Sequence, residues 1–158
     1  MEPLMHKEEI KNILHQREPY LMVDQVHSID AKSIHTSKTH AGNEPHVLGH
    51  FPGAPVVPGA MLQEICTQSA GILITQFYSP VKDYNSNTTK GWALGVLNKV
   101  EFAKYLEMVK PNQPIEAKVE LIEHQDGLFK FRAQVYQQQK LKAKLKFNLV
   151  NISDQYLY

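Results

Sequence analysis

One imidazole and one carboxylate stand out in this chain as groups set up for chemistry. His50 lies in the run Gly49-His50-Phe51-Pro52-Gly53-Ala54-Pro55-Val56-Val57-Pro58-Gly59. Three prolines there fix φ near the ring value, and three glycines permit positive φ or close backbone approach. So much backbone constraint around a single His marks a group held in place, and imidazole is suited to take a proton near neutral pH. Glu64 follows just inside an apolar segment, next to Met61, Leu62 and Ile65. A carboxyl in apolar surroundings is suited to hand a proton over. Between the two, Pro58-Gly59 opens a helix whose first amides lack intrahelical partners and favour negative charge. The Gly59 N–H is therefore a candidate oxyanion donor, with Pro58 defining the helix entry.

The elements that must position these groups follow from patterning. Ile10, Ile13 and Leu14 predict a short amphipathic helix over 8–15. Segments 20–27 and 32–40 read as paired strands, and 41–58 as loop. The long helix spans 60–78; it is apolar on nearly every side and hence buried on nearly every side, so Glu64 stands out on it. Segment 79–91 is polar, turn-rich and expected to be mobile. Strand-like runs follow at 92–102, 115–124, 128–137 and 141–150. Asp126-Gly127 is a strong hairpin signal and Gln138-Gln139 a weak one. In the last run Leu141, Ala143, Leu145, Phe147 and Leu149 share one face, and Lys142, Lys144 and Lys146 the other, expected to be solvated. Two early strands, one buried helix and a later antiparallel run predict an α+β fold, an antiparallel sheet wrapped around one long central helix.

Bulk properties narrow the classes. At 158 residues one domain over 1–158 is expected. With 17 basic and 16 acidic residues the net charge of +1 gives no footprint for nucleic acid. The single cysteine, Cys66, excludes an internal disulfide and a cysteine-rich metal site, and it fits a reducing compartment. No run of about eighteen apolar residues suggests a membrane span, and nothing near the start resembles a signal peptide. A cytoplasmic location is the expectation.

The run from Gly49 to Gly59, with Glu64 after it, resembles the 3-hydroxyacyl acyl-carrier-protein dehydratases of the FabZ type. Arg17-Glu18-Pro19-Tyr20-Leu21-Met22-Val23-Asp24, Asn43-Glu44-Pro45 and Gln68-Ser69-Ala70-Gly71 are similar to further family segments, so the likeness covers about residues 14–150. The resemblance implies the hotdog fold and loss of water from a (3R)-3-hydroxyacyl thioester on an acyl carrier protein, giving the trans-2-enoyl thioester. It implies no metal and no redox cofactor. On that pattern His50 is the base and Glu64 the acid, facing each other across a homodimer interface, with trimers of dimers common in the family. Gly59 meets the thioester carbonyl, Gln68 supports Glu64, and Phe51 and Pro58 line the substrate's path. The chain departs from the pattern at His46-Val47-Leu48, where members have two aromatics and a Gln, and in the long connection 102–113. These departures bear on chain-length preference and carrier docking rather than on chemistry.

Plainer readings compete. Glu64 alone could be a helix-start carboxylate favoured by the dipole, and Gln68 a buried amide bonded to backbone. Cys66 reads better as a small buried hydrophobe than as a nucleophile. The lysine row could dock an acidic carrier, or be the wet face of an edge strand. Tyr84 is a candidate gate. His15, His27, His35, His40, His46 and His124 have no comparable context and read as ordinary. Two other functions fit the fold: an acyl thioesterase, which usually lacks the His loop, and a non-catalytic acyl-carrier-binding module, which needs neither His50 nor Glu64. A helix buried so completely is expected to need a second copy for cover.

Overall fold

The computed structural model describes residues 2–157. In chain order the elements are β1 (Met5–His6), α1 (Lys7–Lys11), β2 (Gln25–Ile29), β3 (Ser33–Thr39), α2 (Pro45–Leu48), α3 (Gly59–Tyr78), β4 (Trp92–Tyr105), β5 (Pro114–Gln125), β6 (Leu128–Gln137), β7 (Lys140–Ser153) and a closing 3₁₀ turn (Asp154–Leu157). All seven strands join one antiparallel sheet in the order β1-β2-β3-β5-β6-β7-β4. This sheet wraps α3, as the hotdog expectation has it.

Strand alternation builds the inner face. Ile115, Ala117 and Val119 on β5, Phe129, Phe131, Ala133 and Val135 on β6, and Ala143, Leu145, Phe147 and Leu149 on β7 are all buried. The β5–β6 hairpin turns through Asp126 and Gly127, both at positive φ. The β6–β7 hairpin turns through Gln138 and Gln139, at φ 51° and 62°. The same turn geometry is thus imposed there without a glycine, which explains its weak sequence signal.

Every α3 residue from Ile65 to Thr75 is buried within a single chain, so the helix itself needs no second copy for cover. Its polar side chains are absorbed locally. The hydroxyls of Thr67, Ser69 and Thr75 donate to the carbonyls of Glu64, Ile65 and Gly71. Thr36 of β3 then donates to the Ser69 hydroxyl at 2.7 Å, since that hydroxyl's own proton is committed to Ile65. Where β4 crosses the helix the backbones nearly touch. Gly95, at φ +71°, has room for a Cβ only at 3.1 Å from the Gly71 Cα. A bulge in the β4–β7 ladder accompanies it, and the Gly95 N–H bonds Asn151 Oδ1.

Several expectations change. The early strand starts at Gln25 rather than Tyr20, because the Met22 N–H and the Tyr20 carbonyl bond the Gln68 side chain instead of a strand. The loop at 41–58 contains the one-turn α2, with Pro45 in its first turn. β7 is interior to the sheet, not an edge, and Lys142 is buried against Glu107; Lys144 and Lys146 remain exposed. The turn-rich segment 79–91 is pinned to the N-terminal region. Ser86 N–H donates to the Asn12 carbonyl and Arg17 to the Asn87 side chain, both at 2.8 Å. Among the described residues no helix is long and apolar enough to cross a membrane.

Gly95→Ala is expected to cost about 2–4 kcal/mol, because a left-handed φ and a backbone clash add. Gly127→Ala, at similar φ with its Cβ site open to 3.9 Å, is expected to cost about 1 kcal/mol. Urea unfolding of the two variants beside wild type checks the difference.

Candidate active site

Glu64 sits in the second turn of α3, half-buried, with a carboxylate held by its own helix. Oε1 accepts from Gln68 Nε2 at 2.9 Å, and Oε2 lies 3.3 Å from the Thr67 hydroxyl, which shares its one proton between this oxygen and the Glu64 carbonyl. The apolar setting expected from Met61, Leu62 and Ile65 therefore does not enclose the carboxylate, whose immediate partners are polar. Gln68 is one turn further along the same face. Its Oε1 accepts the Met22 N–H and its Nε2 also donates to the Tyr20 carbonyl, each at 2.7 Å. One amide thus fixes both Glu64 and the segment beside it. Burial, then the charge of Glu64 and a hydrogen bond to it, raises the Tyr20 hydroxyl above its ordinary range.

Glu64 and Gln68 open onto a cavity of about 420 Å³. Leu14, Gly71, Trp92 and Leu94 supply apolar and small surfaces, and His15 and Thr67 polar ones. Burial, then the nearby charge of Arg17, lowers His15, which keeps a neutral imidazole there. Tyr84, expected as a gate, does not line the cavity; its hydroxyl bonds His15 Nε2 behind it.

His50 occupies a different place. It is exposed in the loop after α2, with its ring 4.3 Å from that of Phe51, itself more than half exposed. Nδ1 lies 3.0 Å from the Val56 carbonyl, an acceptor only, so Nδ1 carries the proton and Nε2 is left as the basic atom. The same loop is anchored by Val57 N–H on the Val109 carbonyl. Pro58 is the N-cap of α3, its carbonyl taking the Met61 and Leu62 amides. The Gly59 amide has no acceptor among the described residues. A Cβ on Gly59 would stand 3.2 Å from the Tyr105 ring, so a side chain there would require that ring to shift by a few tenths of an ångström.

The structure therefore groups Glu64 with Gln68, and His50 with Phe51 and the Pro58–Gly59 helix entry, but it does not bring the two groups into one cavity. Cys66 is fully buried, and burial pushes its thiol well up, which removes it as a nucleophile. Sequence reasoning missed Thr67, Tyr20 and Tyr105. Only Thr67 left a signal, at helical spacing from Glu64.

The FabA-like domain family matches residues 14–152. The chain belongs to that family. Similar members include the 3-hydroxyacyl-(acyl-carrier-protein) dehydratase FabZ of Chlamydia pneumoniae, 34% identical over 147 residues, spanning 90% of this chain and 91% of that protein. The FabZ of Lawsonia intracellularis is 33% identical over 138 residues, 87% of this chain and 86% of its own. Among solved structures, a dehydratase heterocomplex (ApeI:P) from Xenorhabdus doucetiae superposes with TM-score 0.74 at 12% identity, covering 99% of this chain and 95% of that one. A thioesterase superfamily member from Thermus thermophilus gives 0.61 at 12% identity, over 79% and 84%. These two establish the hotdog fold; at such identity they do not separate dehydratase from thioesterase.

For this FabA-like chain, Gln68→Leu is expected to lower stability by about 2–4 kcal/mol, since it strands the Met22 N–H and the Tyr20 carbonyl together. Gln68→Glu keeps the acceptor for Met22 and is expected to lose less when measured at a pH where the new carboxyl is protonated. Chemical denaturation of both variants checks the ranking.

Proposed function

We propose that this chain is a hydro-lyase that removes water from a (3R)-3-hydroxyacyl thioester carried on an acyl carrier protein, giving the trans-2-enoyl thioester for fatty acid or related lipid or polyketide synthesis. The observation that carries the reading is the His50 ring, oriented by the Val56 carbonyl with Nε2 left free, in a chain whose relatives named FabZ are dehydratases. His50 Nε2 takes the proton from C2. The Gly59 amide, free of any acceptor among the described residues, stabilises the negative charge that develops on the thioester oxygen. Glu64, held by Gln68 and Thr67, delivers a proton to the hydroxyl leaving C3, and the cavity beside it takes the acyl chain. Phe51 and Pro58 shape the approach to His50. No metal or redox cofactor takes part in these steps.

Because the two halves of this machinery are separate in one chain, we infer a homodimer in which His50 of one copy meets Glu64 of the other. Trimers of such dimers are compatible with this arrangement. The sheet edge supports the dimer: β4 is an outermost strand, exposed from Leu97 to Tyr105, and it carries Leu97, Val100 and Phe102. Exposed Lys144 and Lys146 give the carrier's acidic surface a basic counterpart. The whole chain serves as one dehydratase domain, and the unpaired Cys66 fits work in the cytoplasm.

Enoyl absorbance with 3-hydroxyacyl-carrier substrates of several chain lengths tests the reading. His50→Ala and Glu64→Gln are each expected to lower the rate about 10²–10⁴-fold while circular dichroism stays native. Mixing the two inactive variants is expected to restore part of the activity if exchanged dimers carry one intact site. Thiol release in place of enoyl formation would assign a thioesterase, and carrier binding without turnover a binding module.

A further inference from the structure

His40, Glu44 and His46 take no part in the chemistry above, yet they converge. His40 follows the end of β3 and is fully buried; Glu44 is the residue before α2, and His46 lies inside it. His40 Nδ1 is 3.0 Å from Glu44 Oε2, His46 Nε2 is 2.9 Å from the same oxygen, and the two nitrogens are 2.9 Å apart. Two neutral imidazoles offer at most one proton each at these atoms, so protons serve two edges of the triangle at best. The third edge then sets two N–H donors, or two lone pairs, face to face. A cation resolves all three edges by accepting a lone pair from each atom.

The dimensions suit that occupant. An ion at the usual reach of about 2.0–2.1 Å would see these three atoms at roughly right angles, a facial arrangement with its remaining positions open to water. Two imidazoles and one carboxylate select borderline first-row ions over magnesium or calcium. The second oxygen of Glu44 is already held, accepting the Ala41 N–H at 3.0 Å and lying 3.6 Å from Lys38 Nζ, which fixes the carboxylate's orientation. Lys38 is the opposing charge nearby, and Asp24 answers it at 3.5 Å. The other nitrogen of His40, Nε2, is buried without a partner among the described residues. Coordination through Nδ1 places the proton there, which holds the affinity below that of a closed structural zinc site.

We propose that His40, Glu44 and His46 bind one divalent ion of the zinc class, and that the ion braces the turn from which His50 emerges. The ion would tie the end of β3 to α2, whose C-cap is Gly49 and whose Val47 carbonyl faces the His50 amide. His46 stands where the family pattern has an aromatic, so the site belongs to this chain's departures from that pattern. The proposal does not depend on the reaction assigned above.

Metal-free protein, prepared by dialysis against a chelator, is titrated with Zn²⁺ in competition with a chromophoric chelator, and with Co²⁺ by visible absorption. Wild type is compared with His46→Phe, which restores the aromatic, and with the near-isosteric Glu44→Gln. One equivalent per chain is expected, with affinity lower by about 100-fold or more in each variant. Saturating Zn²⁺ is expected to raise the thermal midpoint of wild type only. Circular dichroism shows which variants fold, and either folded variant suffices for the comparison. Absence of stoichiometric binding by folded wild type, or binding that neither substitution weakens, would overturn the site.

Discussion

Enclosing α3 in a single sheet removes water from eleven successive residues, Ile65 to Thr75, four of which carry hydroxyl or amide groups. Each such group left unpaired would cost about 1–3 kcal/mol. Three hydroxyls turn back onto carbonyls of their own helix, and the fourth group, the Gln68 amide, reaches out of it. That outward reach shapes the rest. It holds the Tyr20–Met22 segment out of the sheet, and its remaining hydrogen steadies Glu64. Glu64 is therefore positioned by the same requirement that keeps the core dry.

The histidine loop is positioned by different means. His50 has no rigid element of its own; it depends on the prolines of its loop, on the Val56 carbonyl, and on the Val57–Val109 bond that ties the loop to the connection after β4. Helix and loop meet at Pro58–Gly59, where the Tyr105 ring packs closely over the first turn. Glu64 and His50 thus belong to separately stabilised parts of the chain.

Local patterning carried most of the architecture. The strand at 128–137 was readable from its period of two, and the long helix from an apolar stretch too long for a strand. His50 stood out because proline and glycine leave a signature of constraint, and Glu64 because it is the one charge on an apolar helix; a single chain holds the two apart. What escaped was tertiary. Tyr20 to Asp24 looks like a strand, but the Tyr20 carbonyl and the Met22 N–H go to the Gln68 side chain from far along the sequence, and the Tyr20 and Leu21 amides go to the Arg17 carbonyl. β7 looks like an edge strand because its lysines alternate, yet strand order follows from which partners arrive, and β4 covers it. His40, Glu44 and His46 are the local exception: they lie within seven residues, but the turn that converges their side chains has no periodicity to announce it.

The position of β4 also dictates an order of events. β5, β6 and β7 form a meander whose neighbours are adjacent in sequence, whereas β4 pairs with β7 across the whole of that meander. Loop closure of that length makes β4 a late arrival in folding. On the ribosome the delay is longer still, because β4 emerges first and its partner last. Through that interval Leu97, Val100 and Phe102 lie in an unpaired strand, interrupted by Lys99, Glu101 and Lys104. Those charges, of which Glu101 also accepts from Asn148 Nδ2 in the finished sheet, suit the role of gatekeepers for the nascent chain.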